Sequence, residues 1–254
     1  MQYTLKKSLA QHFLKDENIS RNIVSAVTKN SFNQLLEIGP GAGALTKFLL
    51  QLNDIDFKAI ELDEEKIAYL LQTYPSIKNK IIHQDFLKAS VPFTGNFAVV
   101  GNFPYNISSQ ILFKILEWKD QVPFITGMFQ KEVAQRIAAK PNNKIYGILS
   151  VLVQAFYNVE YLFDVSPSSF TPPPKVMSGV ISLNRKQEIL DMTNEKDFFL
   201  LVKTGFNQRR KKLRNAVRNL FDDNILQDEI FDKRAEQLSI QDFGALTFKM
   251  KNKM

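Results

Sequence analysis

Short apolar runs alternate with helix-like patterns through the first two thirds of the chain. The runs with the length and composition of buried strands are residues 34–38, 57–61, 80–84, 97–101, 123–129, 153–164 and 176–183. Helical periodicity lies between them, at about 43–52, 63–73, 106–118 and 131–139. Strands that alternate with helices are typical of βαβ units, so we predict an α/β, Rossmann-like fold with a mostly parallel sheet.

The pattern changes after Asn184. A polar stretch follows, and everything beyond it has helical periodicity. We therefore predict one large α/β domain over residues 1–184 and a small all-α C-terminal domain over residues 185–254. The four prolines near residues 167–174 predict an extended, non-helical loop between the last two strands.

The composition excludes several classes of protein and of catalytic site. The chain has 254 residues, a net charge of +7, no cysteine and two histidines. These counts exclude a disulfide framework and a cysteine nucleophile and disfavour a metal site, so we expect no metal. The N-terminus has no signal-peptide pattern, and no apolar run is long enough to span a membrane. We expect a cytoplasmic protein.

A glycine-rich loop follows the first central strand and leads directly into a helical pattern. Its residues Gly39 and Gly41 would permit a tight turn and the close approach of a ligand to the backbone. By itself the loop fits a dinucleotide fingerprint, a methyl-donor site or a purely structural turn. Glu61 ends the next strand and Asp85 follows the one after it, where they would accept hydrogen bonds from a ribose and an adenine. This favours S-adenosylmethionine, although Asp85 alone is equally well explained as a helix N-cap.

The tetrapeptide Asn102-Phe103-Pro104-Tyr105 follows the fourth strand and is the most informative motif. An exocyclic amine on a base is a poor nucleophile, because its lone pair is delocalised into the ring. The Asn102 side chain and a carbonyl within Phe103-Pro104 would accept hydrogen bonds from that amine and orient the lone pair. Tyr105 would stack on a base removed from its neighbours. An ordinary Asn-Pro turn at a strand end is the alternative.

Together these motifs resemble the ribosomal RNA adenine dimethyltransferase family, close to its small-subunit branch. The resemblance covers most of the chain in the family's order: KKSLAQHFL (6–14), LLEIGPGAGALT (35–46), ELD (61–63), QDFL (84–87), NFPYNISSQILFKIL (102–116), SSFTPPPKVMSGV (168–180) and GFNQRRKKLRN (205–215). It implies a seven-stranded methyltransferase sheet and S-adenosylmethionine as the donor. It also implies N6,N6-dimethylation of two adjacent adenosines near the 3′ end of small-subunit ribosomal RNA.

The resemblance also implies roles for individual residues. The cofactor-contacting positions correspond to His12, Leu14, Gly39, Gly41, Glu61, Asp85 and Asn102. Asn102 and Pro104 would hold the amine, and Tyr105 and Phe170 would sandwich the target adenine. Without the resemblance, Phe170 is either an exposed stacking wall or a loop side chain packed into the core. Phe103 departs from the family, which usually has a small aliphatic residue there, and we expect its side chain to point into the core.

Residues 198–221 contain seven basic and no acidic side chains. We predict a helix with one apolar face and a row formed by Arg210, Arg214 and Arg218 beside it, with Lys211 next to that row. Like charges four residues apart repel one another, so an external polyanion would stabilise them. We expect contact with ribosomal RNA, although a solvated helix face remains the alternative.

Two other functions remain open. The first is methylation of large-subunit ribosomal RNA of the macrolide-resistance type, against which SFTPPPKV and QRRKKLRN argue. The second is a ribosome-assembly factor that acts mainly by binding. The expected partner is the small ribosomal subunit and its RNA, and we expect the protein to be a monomer.

Overall fold

The computed structural model describes residues 12–251. The strands are β1 (Phe13–Leu14), β2 (Gln34–Ile38), β3 (Asp56–Glu61), β4 (Ile81–His83), β5 (Ala98–Asn102), β6 (Phe124–Gln130), β7 (Tyr157–Val165), β8 (Phe170–Thr171) and β9 (Ser178–Arg185). The α-helices are α1 (Glu17–Thr28), α2 (Thr46–Leu49), α3 (Glu64–Thr73), α4 (Ser108–Glu117), α5 (Lys131–Ala138), α6 (Ile148–Gln154), α7 (Glu195–Asn207), α8 (Leu213–Ala216) and α9 (Ile240–Thr247). Short 3₁₀ turns lie between several of these elements, among them Phe86–Lys88 and Glu229–Asp232.

Seven strands form one mixed sheet in the order β4-β3-β2-β5-β6-β9-β7. The strands from β4 to β6 pair in parallel, and β9 pairs with β6 in the antiparallel direction. The chain leaves β2 toward β3 and later returns to the other side of β2 as β5. Such a reversal opens a crevice at the carboxyl ends of the strands. The predicted Rossmann-like, seven-stranded fold is therefore confirmed.

The centre of the sheet is buried from solvent, and its strands are apolar on both faces. Leu35 and Leu36 of β2 and Val99 and Val100 of β5 have no exposed surface. Continuous burial of successive residues is expected for a parallel strand that is covered on both sides. The one acidic residue within β2, Glu37, is buried among these side chains.

The described residues divide into two compact units. One unit runs to Ala134 and includes Val159–Arg185, and the other comprises Gln135–Asn158 and the residues from Lys186 onward. The boundary after Arg185 lies beside the expected cut at residue 184, but the segment 135–158 belongs with the second unit. One reason is that Tyr146, which is fully buried, packs its ring against Phe206 at 6.1 Å between centroids.

Several elements differ from the prediction. The run 153–164 begins as a strand only at Tyr157, because residues 148–154 form α6. The sequence pattern did not predict α1, although Asp16 caps it by accepting hydrogen bonds from the N–H groups of Asn18 and Ile19. The pairing of β1 with β8 was also not predicted. Residues 186–251 contain helices and 3₁₀ turns and no strand, as expected for the C-terminal part.

Two structural observations concern membranes and metals. Across residues 12–251, no helix has both the length and the apolarity that crossing a bilayer requires. The same range contains no group of three or more acidic or histidine side chains placed to hold a metal ion.

Candidate active site

A cavity of about 520 Å³ lies at the carboxyl ends of β2, β3 and β5. This volume is within the range of small-molecule sites, roughly 300–1,000 Å³. The lining comes from the chain around β1, the glycine loop and the residues that follow β3 and β5. The predicted site residues in this lining are His12, Leu14, Gly39, Gly41, Glu61, Asn102, Pro104 and Tyr105.

The glycine loop turns through backbone conformations that other residues rarely adopt. Gly39, Gly41 and Gly43 have φ of +68°, +59° and +82°. A Cβ on Gly39 would project toward Pro104, 3.8 Å from its Cδ, and would fill the gap between the loop and the residues after β5. A Cβ on Gly43 would overlap the ring of Tyr74. The loop therefore needs glycine at Gly39 for its positive φ, and at Gly43 for both its positive φ and the close packing against Tyr74.

Glu61 connects the loop to the end of β3. Its Oε2 accepts a hydrogen bond from the N–H of Gly41 at 3.2 Å. Its Oε1 accepts hydrogen bonds from the N–H groups of Leu62 and Asp63 at 2.9 and 3.1 Å, and Lys66 Nζ lies 3.7 Å from the same oxygen. The carboxylate is 5 % exposed and is fixed by backbone groups in the cavity wall. Oε1 therefore has both lone pairs engaged, whereas Oε2 accepts one hydrogen bond and keeps acceptor capacity for a further donor.

Glu37 is a cavity-lining residue that the sequence reasoning missed. Its carboxyl group is 1 % exposed, and Thr46 Oγ1 donates a hydrogen bond to its Oε2 at 2.7 Å. Burial raises the pKa of Glu37 to about 8, and the nearby charge of Glu61 adds to that effect. An acidic residue between the apolar Leu36 and Ile38 was the signal that would have singled it out.

At the end of β5 and just after it, two residues lie at the cavity and the residue between them lies in the core. Asn102 is half-buried and Pro104 is exposed, and both line the cavity. Phe103 is fully buried, its N–H donates to the Met128 carbonyl at 3.1 Å, and its ring meets Phe129 at 4.9 Å. As expected, Phe103 points into the core.

Tyr105 is held at both its hydroxyl and its ring. The hydroxyl lies 2.5 Å from Ser178 Oγ, and the ring stacks on His12 with centroids 5.9 Å apart and planes at 30°. His12 in turn donates a hydrogen bond from Nδ1 to the Pro172 carbonyl at 2.8 Å. Burial raises the pKa of Tyr105, so its phenol remains protonated at neutral pH.

Phe170 does not form an exposed stacking wall, so that expectation is wrong. Its side chain is 1 % exposed and belongs to the main apolar core, and it is not part of the cavity lining. The reason is strand pairing, because β8 pairs with β1 and places Phe170 opposite Leu14. Phe170 thus lies beside the segment that carries His12 and Leu14 to the cavity.

Asp85 also lies outside the cavity lining. Its Oδ1 accepts a hydrogen bond from the N–H of Leu87 at 3.0 Å, so the side chain caps the turn Phe86–Lys88. Its Oδ2 lies 3.9 Å from Lys88 Nζ. This is the N-cap that the sequence offered as the alternative, and contact with a cofactor stays a prediction.

The basic stretch is not one continuous helix. Helix α7 ends at Asn207, residues 208–212 form a turn, and α8 begins at Leu213. After this turn Leu213 lies at a fully buried position. The predicted row of Arg210, Arg214 and Arg218 on one helix face is therefore wrong.

The charges of this stretch are also partly neutralised. Asp232 lies 2.9 Å from Arg214 and 2.6 Å from Lys212, and Glu236 lies 2.6 Å from Arg209. These acids come later in the sequence, so the expectation of unrelieved repulsion is wrong for those three cations. Arg210, Lys211 and Arg218 are exposed and form no ion pair with any residue between 12 and 251.

Comparison with known proteins agrees with this geometry. A model of the family described as "Ribosomal RNA adenine dimethylase" matches residues 2–249. "Ribosomal RNA small subunit methyltransferase A" of Cytophaga hutchinsonii is 54 % identical over 246 residues, which is 95 % of each chain. The protein of the same name from Flavobacterium johnsoniae is 52 % identical over 249 residues, covering 96 % of this chain and 95 % of that one.

Solved structures show the same fold. A dimethyladenosine transferase from Plasmodium falciparum superposes with a TM-score of 0.78 at 27 % identity, covering 91 % of this chain and 94 % of that one. The 23S rRNA methyltransferase ErmE superposes with a TM-score of 0.67 over 92 % of this chain and 99 % of that one. At 22 % identity, the second likeness concerns the fold alone. Because the family model spans nearly the whole chain, the protein belongs to the ribosomal RNA adenine dimethylase family.

Proposed function

We propose that this enzyme dimethylates N6 of two adjacent adenosines near the 3′ end of small-subunit (16S) ribosomal RNA. S-adenosylmethionine is the methyl donor. One observation carries the proposal: a single cavity joins the glycine loop and Glu61 to Asn102, Pro104 and Tyr105. A donor site and an amine-orienting site thus share one crevice, as direct transfer between two bound molecules requires.

The residues on the donor side fit S-adenosylmethionine. Gly39 and Gly41 leave a backbone cradle that a Cβ at Gly39 would fill, and the Glu61 carboxylate faces this cradle. We assign Glu61 to the ribose hydroxyls and the segment His12–Leu14 to the far wall of the site. Asp85 follows β4, the strand that pairs with the end of β3, by two residues and is our proposed acceptor for the adenine amino group. When bound, S-adenosylmethionine supplies a methyl group on a positively charged sulfur.

The residues on the acceptor side fit an exocyclic amine. Asn102 offers a side-chain oxygen and Pro104 a backbone carbonyl, and both residues line the cavity next to Gly39. Two acceptors on the two N–H bonds of the amine would direct its lone pair toward the donor side. The half-buried ring of Tyr105 would stack on the adenine.

The second unit would supply affinity for the RNA. Its exposed cations Arg210, Lys211 and Arg218 form no ion pair with a described residue and remain available for phosphates. Arg214 is paired with Asp232, so we assign it a smaller part. The proposed partner is the small ribosomal subunit, on which the enzyme would act as a monomer in the cytoplasm and contribute to subunit biogenesis.

The test is the transfer of labelled methyl groups from S-adenosylmethionine to purified small subunits that lack the modification. We expect four methyl groups per particle, and primer extension should stop at two adjacent adenosines near the 3′ end. Transfer to large-subunit RNA instead would support the macrolide-resistance alternative. Full rescue of subunit maturation by a catalytically inactive variant would show that binding is the main role.

A further inference from the structure

We infer that Ser178 is a positioning residue for the methyl-transfer reaction, because its hydroxyl holds the ring of Tyr105 in the orientation that stacks the target base. This inference rests on the proposed function and deepens it at the same site. The two hydroxyl oxygens lie 2.5 Å apart, although the residues are 73 positions apart in the chain. Ser178 has no exposed surface, so bulk water does not compete for this contact.

The sheet places Ser178 at the edge where the cavity opens. Ser178 is the first residue of β9 and pairs with Gln130, the last residue of β6. Strand β6 in turn neighbours β5, which ends at Asn102. The strand that precedes Tyr105 and the strand that begins at Ser178 therefore reach the same edge, with β6 between them.

Neighbouring contacts fix the start of β9. The N–H of Lys131 donates to the Met177 carbonyl at 2.9 Å, and Lys131 Nζ lies 2.5 Å from an Asp164 oxygen. The other Asp164 oxygen accepts from the Tyr161 hydroxyl at 2.5 Å. That hydroxyl packs so closely on Gly179 that a Cβ there would overlap it. The position of the residue between Met177 and Gly179 is thus determined from both sides.

Two contacts restrict the Tyr105 ring, one at its hydroxyl and one on a ring face. The hydroxyl is held by Ser178, while one ring face rests on His12, which is itself tied to the Pro172 carbonyl. A ring that is ordered before the base arrives loses less conformational freedom when stacking occurs. Stacking follows the docking of the RNA, so loosening the ring should slow turnover more than it weakens binding of the particle.

The experiment is a double-mutant cycle with Ser178→Ala, Tyr105→Phe and the double variant. Ser182→Ala is the matched control, because Ser182 is 6 % exposed and lies on the same face of β9 four residues further on. Labelled methyl transfer to unmodified small subunits gives kcat and KM, and calorimetry gives the affinity for S-adenosylmethionine. Thermal unfolding of each variant separates folding from function.

We expect each single variant to lower kcat about fivefold, the effect of one neutral hydrogen bond, and the double variant to lower it no further. KM for the particle and the affinity for S-adenosylmethionine should stay unchanged, and Ser182→Ala should behave as the parent enzyme. Additive losses, or equal losses in Ser178→Ala and Ser182→Ala, would mean that Ser178 does not act through Tyr105. An inactive parent enzyme would overturn the proposed function, whereas an active parent with a fully active Ser178→Ala variant would overturn only this inference.

Discussion

The N–H of Gly41 donates a hydrogen bond to the Glu61 carboxylate at 3.2 Å. This bond joins the glycine loop to the end of β3 across two parallel strands. Because Glu61 also accepts from the N–H groups of Leu62 and Asp63, one carboxylate sets the spacing between two walls of the cavity. A role for Glu61 in donor binding can therefore be tested with a single substitution.

Replacing Glu61 with Ala should weaken the binding of S-adenosylmethionine. Hydrogen bonds to a charged group contribute roughly 1.5–3 kcal/mol, so we expect a loss of about 10- to 100-fold. Isothermal titration calorimetry measures this directly. Asp56→Ala is the matched control, since Asp56 is an exposed acid at the opposite end of the same strand. Unchanged affinity in Glu61→Ala would contradict the assignment.

Replacing Asn102 with Ala should abolish methylation while leaving the affinity for S-adenosylmethionine largely intact. The substitution removes one of the two proposed acceptors for the amine, and orientation of the reacting groups contributes much of the rate. We expect a decrease in turnover of at least about 100-fold, measured by labelled methyl transfer. Asn96→Ala serves as the control, because Asn96 is exposed and lies in the loop two residues before β5 begins at Ala98. Turnover close to that of the parent enzyme would contradict the proposed role of Asn102.

The Phe103 side chain fits only because two neighbours are glycine. A Cβ at Gly101 would lie 2.6 Å from the Phe103 ring, and one at Gly127 would overlap it. We expect Phe103→Ala to reduce the free energy of unfolding by about 3–5 kcal/mol and Gly127→Ala by about 1–3 kcal/mol.

The two sites should also be coupled. Combining Phe103→Leu with Gly127→Ala should cost less than the sum of the single effects, because the smaller side chain leaves room for the new methyl group. Urea unfolding of the single and double variants measures the coupling. Strict additivity would show that the glycines do not accommodate the ring.

The order of strands and helices in the first unit was predictable because buried strands are continuous apolar runs. QLLEI matches β2 from Gln34 to Ile38, and the other predicted strands of the sheet overlap observed ones. The glycine loop, Glu61 and Asn102 were also predictable, because a parallel sheet brings the ends of its strands to one edge.

The remaining features depend on contacts between distant parts of the chain. Phe170 is buried because β8 pairs with β1, a pairing of two residues per strand that leaves no periodic signal. Arg214 is neutralised by Asp232, which no local pattern connects to it. The contact between Ser178 and Tyr105 likewise arises from sheet register and not from sequence spacing.

The exposed cations of the second unit should control the salt dependence of RNA binding. If Arg210, Lys211 and Arg218 each bind a phosphate, replacing any one of them with Ala should reduce the slope of log K against log salt by roughly 0.7–0.9. Arg214→Ala should change it less, because Arg214 already pairs with Asp232. Filter binding to small-subunit RNA over a range of salt concentrations gives the slope. Lys196 is an exposed cation on α7, so Lys196→Ala is the control. An unchanged slope when Arg210, Lys211 and Arg218 are all replaced with Ala would refute the assignment.

The stability of the protein should fall as the pH rises through the range in which Glu37 ionises. Burial raises the pKa of Glu37 from 4.5 to about 8, so between these values the folded state holds a proton that the unfolded chain releases. Stability from the protonated carboxyl group is fully present below pH 4.5 and is lost as the pH approaches 8. Glu37→Gln carries no charge at any pH, so its free energy of unfolding should lack this decline.

The difference between the parent protein and Glu37→Gln isolates the effect from all other titrating groups. The difference in free energy of unfolding should change by at most on the order of 1.4 kcal/mol for each pH unit between pH 4.5 and about 8. Above that range it should level off. Urea unfolding at several pH values from 5 to 9 measures the difference. Thr46→Val provides a second check, because the Thr46 hydroxyl stabilises the charged carboxylate and its removal should extend the decline to higher pH. Parallel stability curves for the parent and Glu37→Gln would show that Glu37 is already ionised throughout this range.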